Sequence, residues 1–149
     1  MRRMISYRKL LNVSETTELK ELKTVYRNLM KEWHPDKFQD HPDEKHAAEE
    51  KSKKIIEAYH FLVSIAPETR LQTKDAYAET TTLSGIDDFE YKSEVLSIRF
   101  SDGSVYEYFG VPKAIYVKLI NAETPSRFAR RHIYHNYLYR STEKLVAAV

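Results

Sequence analysis

Two runs of apolar residues at helical spacing, joined through the tripeptide His34-Pro35-Asp36, constrain the first half of this chain more than any other feature. Leu19, Leu22, Val25, Tyr26, Leu29, Met30 and Trp33 define one face of a helix of about five turns, with Ser14 or Thr16 available to cap its start. Ala48, Lys51, Ile55, Ala58, Tyr59, Leu62 and Ile65 repeat the spacing, and Pro67 ends that run. A short connection between two such helices predicts an antiparallel helical hairpin. The two alanines on the second face let the axes approach closely. A lead element over residues 5–11 offers Ile5, Leu10 and Leu11 as cover, and residues 67–77 supply a last short helix.

Proline pushes the residue before it out of the α region and lacks a donor, so Pro35 stops the first helix and leaves the tripeptide in a loop. The helix that leads into this loop sorts its charges. Lys20, Lys23, Arg27 and Lys31 fall within a sector of about 80°, while Glu18, Glu21 and Glu32 lie on the opposite flank. A face with no task usually interleaves signs to gain i,i+4 pairs. A one-sign stripe beside a loop therefore suggests an acidic partner; the alternative is a helix that is merely soluble.

The residues Tyr7-Arg8-Lys9-Leu10-Leu11, Val25-Tyr26-Arg27-Asn28-Leu29, Trp33-His34-Pro35-Asp36-Lys37 and Glu57-Ala58-Tyr59 stand in an order and spacing that resembles the J-domain of the DnaJ family. The resemblance covers roughly residues 5–76. It implies a co-chaperone that docks on a DnaK-type 70-kDa chaperone and stimulates its ATP hydrolysis, and that is not itself an enzyme. It also implies a docking surface of His34, Pro35, Asp36, Lys23, Tyr26, Arg27, Lys31 and Lys37. The sequence departs from the family at Ser52, where an aromatic ring is usual; Leu29, Met30, Ile56 or Phe61 is expected to fill that space.

The chain changes character after Tyr77, so we expect a mainly α domain over residues 1–77, a polar linker over 78–84 and a small α+β domain over 85–149. In the last of these, Glu94–Phe100 and Val105–Phe109 flank a Ser101-Asp102-Gly103-Ser104 turn and predict a β-hairpin. Pro112 opens a helix carrying Ile115, Tyr116, Leu119 and Ile120. A basic and aromatic stretch follows, helical to Ile133 and then extended. Tyr106-Glu107-Tyr108, Gly110-Val111-Pro112, Tyr116, Phe128, Ile133 and Tyr137 together resemble the KTSC domain, a family named for its place at the C-terminus of some lysyl-tRNA synthetases. That family often has a glycine before the phenylalanine, which Thr124-Pro125-Ser126-Arg127-Phe128 lacks.

RNA binding has been suggested for that family, and charge lends it modest support. Residues 78–112 hold two basic residues against seven acidic, whereas residues 113–149 hold seven basic against Glu123 and Glu143. Tyr106, Tyr108, Arg127, Arg130, Arg131, Tyr134 and Tyr137 are thus candidates for contact with RNA or a client protein. The competing reading, which we prefer, has the tyrosines completing a small core and the arginines solvating it. A net charge of +2 is too small to argue nucleic acid from the whole chain.

The absence of cysteine excludes a disulfide scaffold and the cysteine-rich zinc module of the largest DnaJ-type chaperones. His132 and His135 lack a carboxylate or cysteine at ligand spacing, and the acids around His41 and His46 suit a helix start, so no metal or other cofactor is expected. There is no glycine-rich phosphate loop or nucleophile elbow. No apolar run reaches 18 residues and the N-terminus has no signal-peptide core, so a cytoplasmic protein without a membrane segment is expected.

Overall fold

The structure, a computed structural model, describes residues 2–143. Helices α1 (Arg2–Leu11), α2 (Leu19–Trp33) and α3 (Pro42–Ile65) come first, with a 3₁₀ turn, Pro35–Phe38, between α2 and α3. The α2/α3 pair is antiparallel, as expected. Tyr26 stacks on Tyr59 with centroids 4.1 Å apart, and Trp33 at the other end of α2 meets Lys51. Ala48 and Ala58 are fully buried, as are Ile55 and Tyr59, so the small residues do permit close packing. Helix α1 packs on α3, where Tyr7 meets Phe61 edge-on at 5.1 Å and the Arg3 guanidinium lies 4.5 Å over the same ring.

Three local expectations change. Met4 and Leu11 are the buried residues of α1, and Ile5 is 65% exposed. Ser14 and Thr16 bond each other rather than capping α2; its N-cap is Glu18, and the Leu19 amide donates instead to Glu68 Oε1 at 3.0 Å. Phe61 does not replace the ring missing at Ser52. It lies nine residues along α3, about 13 Å away at 1.5 Å per residue, against Tyr7. The Ser52 hydroxyl is buried and donates to Glu49 O of its own helix at 3.0 Å.

The chain divides into two compact units between Glu68 and Thr69, within helix α4 (Pro67–Gln72). Residues 78–83, read from sequence as linker, are the end of helix α5 (Lys74–Leu83), whose Tyr77, Thr80 and Thr81 are buried. Threonines are weak helix formers and disguise the element. Tertiary burial overrides that propensity.

The second unit holds a four-stranded antiparallel meander in the order β1 (Ile86–Lys92), β2 (Val95–Phe100), β3 (Val105–Phe109), β4 (Leu138–Ser141), with α6 (Lys113–Ile120) and α7 (Pro125–His132) between β3 and β4. The expected hairpin is β2–β3, with Leu96 opposite Tyr108 and Ile98 opposite Tyr106. Strand β1 carries no turn signature in the sequence because its turn is Ser93-Glu94, both at positive φ (50° and 64°), where asparagine and glycine would normally announce it. Leu96, Ile98, Phe100, Tyr106 and Tyr108 line the inner face with Tyr77, Val111, Leu119, Ala129, Ile133 and Tyr134. Helix α7 starts without the expected glycine because none of residues 124–128 has a positive φ, and Pro125 occupies the first turn.

Candidate partner-docking site

Helix α2 stops at Trp33 because the proline ahead forces His34 into extended backbone (φ −61°, ψ 130°). His34 then starts the 3₁₀ turn. Its Nδ1 accepts the Asp36 amide at 3.3 Å and lies 3.5 Å from the Asp36 carboxylate, while its carbonyl accepts the Lys37 amide at 3.1 Å. The loop is thus folded by its own atoms. Both polar side chains remain open to solvent, 52% exposed for His34 and 74% for Asp36.

Tyr26, Arg27, Met30, Lys31, His34 and Lys37 line one shallow open groove beside this loop. Five of these belong to the docking set that the resemblance implies. Met30, counted there as an apolar-face residue, is the apolar floor that the sequence reading did not assign to the site. Its position one helical turn from Tyr26 and His34 was the available signal. Lys23 continues the basic stripe toward the N-terminus of α2; Pro35 and Asp36 form the turn beyond the groove's edge. Stacking on Tyr59 fixes Tyr26, and burial, followed by charge repulsion from the Tyr26 hydroxyl, pushes the Tyr59 hydroxyl pKa up, with Arg27 partly opposing. The groove is apolar at its floor and cationic at its rim. It suits a partner surface that combines acidic side chains with an exposed apolar group.

The C-terminal candidates separate into two groups. Tyr106, Tyr108 and Tyr134 are 8%, 0% and 1% exposed, so their faces cannot stack on bases, and their candidacy for RNA or client contact is corrected here. They belong to an aromatic core. The Tyr77 hydroxyl bonds Tyr108 Oη at 2.9 Å and donates to Tyr134 O at 2.6 Å, and the Tyr77 ring stacks on Tyr139 at 3.8 Å. Tyr137 is half-buried against the same cluster. Arg127, Arg130 and Arg131 are exposed on α7 without an ion pair among the described residues; Arg130 Nε donates to Thr81 O at 3.3 Å. Glu107 and Arg140, opposite each other on β3 and β4, form a largely shielded ion pair at 3.2 Å.

Among the described residues there is no cluster of three metal-ligating side chains, and no helix is long and apolar enough to cross a membrane.

Comparison with known proteins places this geometry. The model of the DnaJ domain matches residues 6–72, which hold the helical hairpin and its loop. The model of the KTSC domain matches residues 84–137 of the second. The chain is 46% identical over 56 residues to the chaperone protein DnaJ of Thermoplasma volcanium, covering 38% of this chain and 14% of that one. It is 41% identical over 59 residues to DnaJ homolog subfamily B member 8 of Mus musculus, covering 40% of this chain and 25% of the relative. DnaJ homolog subfamily B member 2 of Homo sapiens matches at the same identity and length, over 17% of the relative. The chain therefore spans a quarter or less of these relatives. These matches support a DnaJ-type co-chaperone.

Proposed function

We propose that this protein docks on a DnaK-type 70-kDa chaperone through the groove of Tyr26, Arg27, Met30, Lys31, His34 and Lys37 and stimulates its ATP hydrolysis. The observation that carries the reading is the convergence of a one-sign helix face and an exposed, self-folded His34-Pro35-Asp36 turn on one groove. Lys23, Arg27, Lys31 and Lys37 steer the encounter with an acidic surface by long-range attraction, and the loop supplies short-range specificity. Asp36, three-quarters exposed beside His34, is accessible to a partner arginine. Such a contact changes the chaperone only if it favours the hydrolysis-competent state over the other. The hydrolytic chemistry belongs to the chaperone, and this chain acts in the cytoplasm as its effector.

Single-turnover ATP hydrolysis by a DnaK-type chaperone, with and without the intact protein, tests the proposal. His34→Gln keeps the fold and loses the stimulation; full stimulation by that variant refutes the docking role. The second unit is proposed to select the client or the location. The three exposed arginines of α7 favour one specific alternative, an adaptor that brings the chaperone to RNA. With the tyrosines buried, such binding rests on phosphates, so it weakens steeply with salt and is lost in Arg127→Ala/Arg130→Ala/Arg131→Ala.

A further inference from the structure

We propose that Lys51 is a positioning residue: by holding its ammonium over the indole of Trp33, it fixes the direction in which His34-Pro35-Asp36 leaves α2. The inference rests on the docking reading above and deepens it.

Trp33 is the last residue of α2, directly before His34, and it is half-buried. Lys51 lies on α3 at an inward position of the apolar repeat, where a lysine is unexpected. Its stem is half-buried between the helices and its Nζ stands 5.2 Å from the Trp33 ring centroid, within cation–π range. The neighbouring inward residue, Ser52, contributes no ring and spends its hydroxyl on its own helix. At this end of the hairpin Trp33 therefore supplies the aromatic surface, and Lys51 is its cationic partner across the interface.

The loop's hydrogen bonds explain why this contact matters. Among the described residues, those made by residues 34–41 reach no more than four positions along the chain: Asp36 to His34, Lys37 to His34, His41 to Phe38, and Lys45 to His41. They fold the turn and leave its orientation relative to α3 undetermined. Orientation depends on the packing of the 3₁₀ turn against α3, where Phe38 is half-buried, and on the Trp33–Lys51 clasp. Without the ammonium, the indole keeps its apolar contacts and loses its directional anchor, and the loop samples a wider range.

The test compares the full chain as wild type, Lys51→Met, which keeps the stem, and Lys51→Arg, which keeps the cation. Trp33 is the only tryptophan, so its emission reports the clasp directly. In Lys51→Met, amides of residues 34–41 exchange about two- to fivefold faster while α2 and α3 stay protected, and acrylamide quenches Trp33 more strongly. Maximal stimulation of a DnaK-type ATPase falls by a similar factor at an unchanged half-saturating concentration, and Lys51→Arg restores all three. Unchanged loop exchange and quenching in Lys51→Met overturns the proposal. So does a raised half-saturating concentration with full maximal stimulation, which would make Lys51 a docking charge, and so does faster exchange throughout α2 and α3, which would make it a stability residue. If the wild type stimulates no chaperone, the docking reading falls, and loop exchange with Trp33 quenching alone then decides for or against the clasp.

Discussion

Tyr77 and Tyr134 bury their hydroxyls in the same core with opposite outcomes. The Tyr77 hydroxyl joins Tyr108 and the Tyr134 carbonyl, whereas the Tyr134 hydroxyl has no hydrogen-bond partner among the described residues. Removing a buried group with partners leaves them unsatisfied, while removing an unpaired one takes away only a desolvation cost. Tyr77→Phe is therefore expected to destabilise the second unit by about 1–2 kcal/mol and Tyr134→Phe to be neutral or stabilising, as read from urea denaturation. The same burial sets a pH limit. Burial pushes the Tyr134 hydroxyl up to about 12, with Arg130 partly opposing, and Tyr77 and Tyr108 are also raised, chiefly by burial. A raised phenol is held neutral in the fold, so its contribution is complete below the unfolded value of about 10 and is lost as pH rises through the folded one. Urea midpoints should be flat up to about pH 9 and fall between about 10 and 12.

At the scale of elements, the turns and caps carry information that composition hides. Glu94 pays for the β1–β2 turn with a left-handed backbone, which costs a non-glycine residue about 1 kcal/mol. Glu94→Gly should therefore raise the thermal midpoint of the second unit in differential scanning calorimetry. Its backbone carbonyl, which accepts the Val111 amide, is retained. The β2–β3 turn is tied to α5 through Asp102, which accepts the Ser104 amide at 2.9 Å and the Thr80 hydroxyl at 2.8 Å. Burial pushes the Asp102 carboxyl up, but these hydrogen bonds outweigh it and hold the pKa below its ordinary value. A lowered carboxylate stabilises above its unfolded pKa and loses that contribution as pH falls through the folded one. The difference in midpoint between wild type and Asp102→Ala should thus shrink below about pH 4. Helix α2 was legible from its period, yet its cap was not, since Glu68 reaches the Leu19 amide across 49 positions of sequence.

Over the whole molecule, the decisive residue for where the second unit begins is Tyr77. It stacks on Tyr139 at 3.8 Å, 8° from parallel, with Thr80 and Thr81 of the same helix buried beside it. A fragment starting at residue 84 has the full sheet, yet it lacks this ring and both of its hydrogen bonds. Deleting a buried aromatic costs about 3–5 kcal/mol, a large share of what a unit of this size has to spare. Residues 69–149 are expected to unfold cooperatively in circular dichroism melts, and residues 84–149 to show no cooperative transition.

The sequence by itself determined the helical hairpin, the loop between its helices, the basic stripe and the β2–β3 hairpin. Each is a periodicity or a turn that neighbouring residues impose on one another. The tertiary structure decided what depends on residues far apart in the chain. It put Tyr106, Tyr108 and Tyr134 inside, made a helix of residues expected to link, and gave the Leu19 amide to Glu68 instead of a cap by Ser14 or Thr16. It also turned Met30 into the floor of the docking groove and set Lys51 over Trp33. Burial and cross-chain contacts have no local period, so only the folded arrangement reveals which polar or aromatic residue faces a partner and which faces the core.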